Sequence, residues 1–186
     1  MEAIKKIELN KIAKTILIAA LGTLLLTVSA KIKIPFYPVP MTMQTFMVLF
    51  LGITLGSKIG LLTISLYLFE GIFGLPVFAG TPEKGIGLIY FTGPTMGYLI
   101  GFLVAVYFAG SFKYDKGTIN TFLKLIFSIS FIYILGMIWL GILIGWDKPI
   151  FKLGAQPFLL AELFKMLLLL FLTPALLKVK KLLKIT

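Results

Sequence analysis

Cysteine, histidine and arginine are absent from this sequence of 186 residues. Without cysteine the chain can form no disulfide, no thiolate nucleophile and no thiolate-based metal site. Without histidine it lacks the commonest general base and the commonest metal ligand. We therefore expect neither a metal site nor a resident cofactor, and much of enzyme chemistry is excluded.

Acidic residues are scarce as well: seven Asp and Glu stand against 18 Lys, which gives a net charge of +11. In a soluble protein such an excess would suggest nucleic acid as a partner. Here most lysines lie at the ends of apolar runs, which is typical of the signals that orient membrane proteins. We therefore expect the lipid bilayer, with its anionic lipids, as the partner of these lysines, and no nucleic acid.

Long apolar runs dominate the rest of the chain. The hydrophobic fraction is 59% and the mean hydropathy is +1.05, whereas soluble domains contain ~45–50% apolar residues. The sequence predicts an all-α integral membrane protein, and its length predicts a single domain over residues 1–186.

Six apolar segments are predicted to be membrane-spanning helices. The third is short for a full span, and we expect it to be tilted or continued through Glu70 and Gly71. The six segments cover residues 15–30, 41–56, 59–69, 93–110, 118–145 and 157–177.

The predicted loops differ in length and character. Residues 31–40 hold three prolines within six positions, so this segment cannot be helical and should be extended. Residues 71–92 form the longest predicted non-helical stretch, with five glycines and two prolines, and loops of this length are commonly functional. Residues 113–117 are predicted to form a short polar turn, and residues 146–156 a further loop.

The N-terminal region combines two features. Residues 1–14 are amphipathic and lysine-bearing, and we expect a surface helix that leads into the first span. Val28-Ser29-Ala30 resembles a signal-peptide cleavage site, but we interpret the apolar run as a retained span. Within it, small residues recur every four positions and form one smooth stripe, which allows close helix approach. The stripe, which either packs inside the bundle or docks a partner subunit, consists of Thr15, Ala19, Thr23 and Thr27.

Six spans put both chain ends on the same side of the membrane, and the lysines indicate which side. Twelve fall on the side of the termini and five on the other, so by the positive-inside rule both termini are cytoplasmic in a multi-pass protein of the cell membrane. The twelve are Lys5, Lys6, Lys11, Lys14, Lys58, Lys113, Lys116, Lys124, Lys178, Lys180, Lys181 and Lys184, and the five are Lys31, Lys33, Lys84, Lys148 and Lys152.

Glu162 and Lys165 stand in the sixth span among phenylalanines and leucines. A charge near the bilayer centre costs about 2.5–3.5 kcal/mol on insertion scales, so such residues usually face a protein interior or a wet cavity. Their spacing of three places them on one helix face. They either pair only with each other or help to bind a small ligand with N–H donors and a carboxylate. They lie about 8 and 12 Å beyond Pro157, in the outer half of the membrane.

Four segments together resemble a known family. They are PVPMTMQT at residues 38–45, EGIFGLPVFAG at 70–80, GPTMGYLIGF at 93–102 and the E-x-x-K of the sixth span. In this order and with six helices, the chain resembles the BioY family, the biotin-binding S components of energy-coupling-factor (ECF) transporters. The resemblance implies capture of biotin on the outer face. It also implies a transmembrane T component and two ABC-type ATPases as partners, with ATP used only by those subunits.

The resemblance also suggests ligand contacts. Glu162 would accept from the ureido N–H groups of biotin and Lys165 would neutralise its carboxylate tail, although the two roles could be exchanged. Two departures from the family pattern are Glu162, where Asp is usual, and the segment 81–84, where glycines are more frequent. The expected further polar contacts are Gln44, Thr81, Tyr90 and Tyr98, and Phe78, Phe36 and Tyr37 are expected over the ring. The alternative is an interfacial aromatic belt for the tyrosines and plain packing for Phe78.

Other classes of protein fit the residues less well. An intramembrane aspartyl or serine–lysine hydrolase lacks its pair, because Asp115 and Asp147 fall in loops and no serine lies within a helical turn of Lys165. We therefore expect no enzyme. A pore would require polar residues repeated along a helix face, whereas the second to fifth predicted helices supply glycine instead. No phosphate-binding loop with a Lys-Ser or Lys-Thr ending is present, so we expect that the chain cannot power transport by itself. The remaining alternatives are an S component for another vitamin and a biotin transporter that acts alone.

Overall fold

The computed structural model describes residues 2–83, 85–115 and 117–183, with side chains from residue 11 onward. Lys5, Lys6, Lys84, Lys116 and Lys184, which entered the lysine count, lie outside these described side chains. The helices are α1 (Glu2–Lys31), α2 (Gln44–Ile72), α3 (Met96–Ser111), α4 (Thr118–Ile144), α5 (Ile150–Gly154) and α6 (Leu159–Leu183), with short 3₁₀ helices at Gly87–Thr92 and Gln156–Phe158.

The first helix is longer than predicted. Residues 2–31 form the single helix α1, whereas the sequence predicted a surface helix followed by a separate span. The reason is local: no glycine or proline occurs before Gly22, so nothing in the chain interrupts the helix between the two parts.

Helix α2 contains a reversal at Gly56. This residue has φ 77° and ψ 174°, a backbone conformation that is essentially restricted to glycine. Gln44 Nε2 lies 2.8 Å from the Tyr67 hydroxyl oxygen, although 23 residues of straight helix would span about 35 Å. The two halves of α2 therefore run antiparallel, and the prediction of separate second and third helices joined by a short turn is confirmed.

Small residues bring α3 close to its neighbours. A Cβ atom added to Gly101 would lie 2.6 Å from the Ile132 Cα atom of α4, and one added to Gly52 of α2 would lie 2.9 Å from the Val106 carbonyl oxygen of α3. No side chain fits at such distances, so these glycines permit backbone contact between helices. The result is a tight α2–α3–α4 core, against which α1 and α6 pack.

Short structures cover one end of this core. Lys33–Ile34 (β1) pairs antiparallel with Met41–Thr42 (β2), in agreement with the extended segment predicted at 31–40. The loops predicted at 71–92 and 146–156 are partly helical, with the first 3₁₀ helix in one, and α5 and the start of the second 3₁₀ helix in the other. Helices of one or two turns carry too few residues for an apolar period to reveal them.

The outer surface of the bundle is apolar, as expected for contact with lipid. Exposed large side chains follow one face of α1, and others cover α4 and α6. By length and composition, four segments are able to cross a membrane, namely Lys11–Lys31, Gln44–Ile72, Thr118–Ile144 and Ile150–Leu183, and α3 is a shorter apolar helix. Of these four, Gln44–Ile72 turns back at Gly56 and is not one straight helix. The chain is therefore a multi-pass, all-helical membrane protein, while six crossings remain a prediction.

Candidate ligand-binding site

Glu162 and Lys165 form a buried ion pair near the start of α6. Lys165 Nζ lies 2.8 Å from Glu162 Oε1, and the residues are 8% and 4% exposed, respectively. Their spacing of three residues places them on the inward face of α6. The prediction that the pair faces the protein interior is confirmed.

Thr45, at the start of α2, joins the two charges. Its hydroxyl donates to the Glu162 carboxylate, 2.9 Å from each oxygen, and accepts from Lys165 Nζ at 3.1 Å. Lys165 also donates to the Thr42 carbonyl oxygen at 2.6 Å. An ammonium group has three N–H donors, and Glu162, Thr45 and Thr42 take all three.

This arrangement has an energetic consequence. Burying an ion pair costs free energy unless hydrogen bonds satisfy the remaining donors and acceptors, and removing one partner leaves an uncompensated buried charge. Here the additional partners come from β2 and α2, so the charges fasten α6 to a different part of the chain. The cluster of Thr42, Thr45, Glu162 and Lys165 is hereafter called the polar cluster.

A cavity lies beside the polar cluster, with about 510 Å³ of empty space including its open mouth. Glu162 lines the cavity, whereas Lys165 is not among the lining residues. Most of the wall is apolar or aromatic. Its polar side chains are Thr42, Gln44, Thr45, Tyr90, Thr95, Tyr98, Tyr133 and Glu162.

Three of the predicted contact residues line this cavity and are held by hydrogen bonds. Gln44 donates to the Tyr67 hydroxyl at 2.8 Å. Tyr98 donates to the Gly154 carbonyl oxygen at 2.8 Å. Tyr90 accepts from the Gly80 N–H at 3.2 Å, and burial raises the pKa of its phenol, so the hydroxyl stays protonated.

Phe78 and Thr81, also predicted as contacts, lie outside the cavity wall. Phe78 is 1% exposed and stacks on Tyr90 at a ring-centroid distance of 4.7 Å. The Thr81 hydroxyl donates to the Phe78 carbonyl oxygen at 2.8 Å. Both residues therefore shape the loop behind the wall, of which Ala79 is part.

Two lysines, one at the end of α1 and one in β1, hold this loop in place. Lys31 Nζ donates to the Phe78 carbonyl oxygen at 2.8 Å and to the Thr81 carbonyl and hydroxyl oxygens at 3.2 Å. Lys33 Nζ donates to the Ala79 carbonyl oxygen at 2.7 Å. The sequence assigned these lysines only to topology. The structure shows that they also hold the segment 78–81 over one side of the cavity.

Two of the three aromatic residues predicted to cover a ligand ring, Phe36 and Tyr37, are more exposed than Phe78. Tyr37 is 90% exposed, and Phe36 meets Phe158 edge-on at a centroid distance of 5.8 Å. Phe158 itself lines the cavity. Phe36 therefore lies one side chain away from the wall, and Tyr37 points away from the bundle.

The small-residue stripe of α1 packs inside the bundle. Ala19 and Thr23 are buried, and the Thr23 hydroxyl donates to Glu70 Oε1 of α2 at 2.9 Å. The docking interpretation is therefore corrected for Ala19 and Thr23, because α2 and its neighbours cover both side chains. Thr15 and Thr27, at the two ends of the stripe, are half-buried.

Thr45 and Tyr133 are among the residues of the site that sequence reasoning missed. Thr45 stands in the segment 38–45, directly after Gln44, but a threonine in an apolar helix carries no signal of its own. Tyr133 lines the cavity from α4 and lies 6.4 Å, between ring centroids, from Phe158. Only the tertiary structure brings these two residues beside Glu162.

The geometry defines what this site can do. A buried carboxylate offers a charged hydrogen-bond acceptor at the wall of an otherwise apolar cavity, which suits a small ligand with N–H donors and an apolar body. Among the residues that the structure describes, no three His, Cys, Asp or Glu side chains lie close enough to hold a metal ion. Fold and site together define a multi-pass membrane protein with a buried polar cluster beside a cavity that suits a small organic solute.

Comparison with known proteins gives the family. The sequence pattern of the BioY family matches residues 3–182. A probable biotin transporter BioY of Pyrococcus horikoshii is 37% identical over 153 residues, which cover 82% of this chain and 90% of the relative. The biotin transporter BioY of Thermotoga maritima is 35% identical over 149 residues, which cover 80% and 86%. This chain belongs to the BioY family.

A solved structure shares the fold. It is the crystal structure of the S-component for biotin from an ECF-type ABC transporter, with a TM-score of 0.76 and 25% sequence identity. The match covers 91% of this chain and 93% of that chain. The predicted ECF S-component fold is therefore confirmed over nearly the whole length.

Proposed function

We propose that this chain captures biotin and is the S component of a vitamin uptake transporter. The observation that carries the proposal is the buried Glu162 carboxylate at the wall of the apolar cavity, fixed by Thr45 and Lys165. The names of its relatives support biotin as the solute. The protein is a transport subunit and not an enzyme.

The chemistry of biotin suits this site. Its ureido group carries N–H donors, its bicyclic ring is apolar, and its tail ends in a carboxylate. Glu162 accepts from the ureido N–H groups, while Tyr98, Tyr133 and Phe158 surround the ring. All three Lys165 donors are already used, so Lys165 reaches the tail carboxylate only by giving up one of them. Its main role in this proposal is to hold the Glu162 carboxylate in position.

Transport against a gradient requires energy that this chain does not supply, because its sequence has no phosphate-binding loop. We therefore propose that a T component and two ABC-type ATPases are the partners of this chain. The structural relative is an S-component from an ECF-type ABC transporter, which supports this assignment. Because the α1 stripe is buried, this proposal does not assign the surface of the chain that contacts the T component.

The proposed orientation places the biotin cavity near the outer face of the cell membrane and both termini in the cytoplasm. Lysine distribution supports it. Lys113 and Lys178 then lie inside, and Lys148 and Lys152 outside. Biotin would enter from the outside, past the β1–β2 hairpin and the segment 78–81.

Equilibrium binding of a panel of vitamins to the purified protein in detergent tests the proposed function. Biotin should bind at least tenfold more tightly than the other vitamins, and Lys165→Ala should weaken it about tenfold or more, which corresponds to ~1.4 kcal/mol. Glu162→Asp should be tolerated better than Glu162→Gln, because only Asp keeps a charged acceptor. Preference for another vitamin would show that the chain is the S component for that vitamin and not for biotin. Unchanged biotin affinity in both Lys165→Ala and Glu162→Gln would show that the polar cluster is not part of the binding site.

A further inference from the structure

A second cavity lies at the opposite end of the bundle from the polar cluster. It forms where α1, the Gly56 reversal, the end of α3 and the end of α6 meet, and it has about 1350 Å³ of empty space including its open mouth. Twelve residues of helix separate Gly56 from Gln44, about 18 Å. This cavity is therefore distinct from the candidate biotin site.

Four lysines line the second cavity, Lys11, Lys14, Lys58 and Lys180, and no acidic side chain among those that the structure describes does. Among the described side chains, the ion pairs of this protein involve Lys33, Lys148 and Lys165 and none of these four. Lys14 Nζ donates to the Leu183 carbonyl oxygen at 2.8 Å, which leaves two of its three N–H groups for another acceptor. Four positive charges around one cavity attract an anion.

Backbone geometry adds to this attraction. The second half of α2 begins after Gly56, so the first N–H groups of that half have no partner within its own helix. Ser57, Lys58 and Ile59, which are the first residues of this half, line the cavity. A helix N-terminus favours negative charge, and here it acts together with the lysines.

The rest of the lining is apolar. Ile18, Leu55, Ile59 and Leu183 contribute to the wall, and α1 continues from it into exposed apolar side chains such as Ile16 and Leu17. A free phosphate would gain nothing from such a wall. A lipid has both parts, an anionic headgroup for the lysines and acyl chains for the apolar surface, and basic pockets between membrane helices commonly bind anionic headgroups.

We propose that this lysine-lined cavity binds the phosphate headgroup of an anionic membrane lipid. The lipid phosphate lies between Lys58 and Lys180, next to the Gly56 reversal, and the acyl chains follow the apolar face of α1. The lipid thereby connects α1, α2, α3 and α6 at the end of the bundle that is remote from biotin. This site does not depend on the identity of the solute in the first cavity.

Native mass spectrometry of the full chain, with equal amounts of phosphatidylglycerol and phosphatidylcholine, tests the site on the unmodified protein. We expect one phosphatidylglycerol per chain to be retained preferentially. Equal retention of the two lipids would overturn the proposal without the need for any variant. If soluble glycerol phosphate displaces the bound lipid at comparable concentration, the site binds the phosphate ester alone and the assignment to a lipid is wrong.

A pair of variants locates the site. Lys58→Gln with Lys180→Gln should lower phosphatidylglycerol retention about tenfold or more. The control, Lys113→Gln with Lys178→Gln, removes the same charge from exposed lysines outside the cavity and should retain the lipid. An equal loss in both variants would show that net charge alone attracts the lipid and would overturn the proposal. Thermal unfolding in detergent, measured on the same samples, reports whether each variant is folded.

Discussion

At the scale of single residues, Lys165 is the least expected side chain in α6, since its neighbours in sequence are leucine, phenylalanine and methionine. Its surroundings explain it. Each of its donors has an oxygen partner, and its positive charge offsets that of Glu162. The consequence is a carboxylate that is held in a fixed position in an apolar region, where it can accept hydrogen bonds from a ligand.

Thr45 is the residue on which the geometry of this carboxylate depends. Thr45→Val keeps the shape but removes the hydroxyl that lies between Glu162 and Lys165, so we expect biotin affinity to fall about tenfold, as for loss of a hydrogen bond to a charged group of ~1.5–3 kcal/mol. Thr45→Ser retains the hydroxyl and should bind nearly as wild type. Isothermal titration on both variants measures the effect. Equal affinities of the Val and Ser variants would show that the Thr45 hydroxyl does not position Glu162.

The sequence identified part of this site and not the rest. Two charges in an apolar span are a strong signal, because their burial is costly, and the structure places both inside. Thr45 gives no such signal, since a threonine is readily accommodated within a membrane helix. The sequence could not predict either that all three N–H donors of Lys165 have acceptors. One acceptor is the Thr42 carbonyl oxygen, and it is the pairing of β1 with β2 that places this oxygen next to Lys165.

At the scale of elements, α1 has two faces with different partners. Ala19 and Thr23 face the bundle, while Leu17, Leu21 and Leu24 are exposed to the surroundings. The pattern of small residues at every fourth position predicts close packing correctly. Sequence alone could not decide whether the packing partner belongs to the same chain. The hydrogen bond from Thr23 to Glu70 shows that it does.

A tryptophan scan of α1 tests these two faces. Ala19→Trp should lower thermal stability and biotin binding together, since Ala19 is 1% exposed and overpacking a core costs about 1–3 kcal/mol. Leu17→Trp, at a position that is 61% exposed, should leave both quantities unchanged. The measurement is thermal unfolding in detergent, followed by titration with biotin. A stable Ala19→Trp protein that binds normally would show that α1 does not pack through this stripe.

The segment 78–81 is a second element whose position depends on distant residues. Lys31, at the end of α1, holds this segment by donating hydrogen bonds to three of its oxygen atoms. Because the segment contributes Ala79 to the cavity wall, loosening it should open a path for the ligand.

Lys31→Met should therefore accelerate biotin release about fivefold, the equivalent of one lost hydrogen bond of ~1 kcal/mol. The release of radiolabelled biotin into excess unlabelled ligand gives the rate. Lys152→Met, at an exposed position of α5, removes the same charge from the same proposed side of the membrane and serves as the control. If both variants release biotin at the wild-type rate, the lysine contacts do not hold the cavity closed.

At the scale of the whole molecule, the two cavities lie at opposite ends of one helix bundle. The reversal at Gly56 separates them, since the first half of α2 begins beside the polar cluster and ends at the lysine-lined cavity. The apolar segments, their order and their loops could be predicted from periodicity and from the positions of glycine and proline. Continuous α1, the hairpin and the short helices could not, because they depend on contacts between segments.

The absence of cysteine from the sequence allows the orientation in the membrane to be tested by labelling. The chain has no cysteine, so single substitutions such as Lys113→Cys and Lys148→Cys give unambiguous labels at exposed positions. A membrane-impermeant maleimide added to whole cells should label Lys148→Cys alone, and Lys113→Cys only after the membrane is broken. Labelling of Lys113→Cys in intact cells would place the termini outside and the biotin cavity near the cytoplasm.

The central claim is that biotin occupies the cavity beside Glu162. A structure of this protein determined with bound biotin measures it most directly. We predict the ureido group within hydrogen-bonding distance of the Glu162 carboxylate, with Thr45 and Lys165 still in contact with that carboxylate and the ring between Tyr98 and Phe158. Biotin bound elsewhere, for example with its carboxylate on Lys58 and Lys180 in the second cavity, would contradict the account.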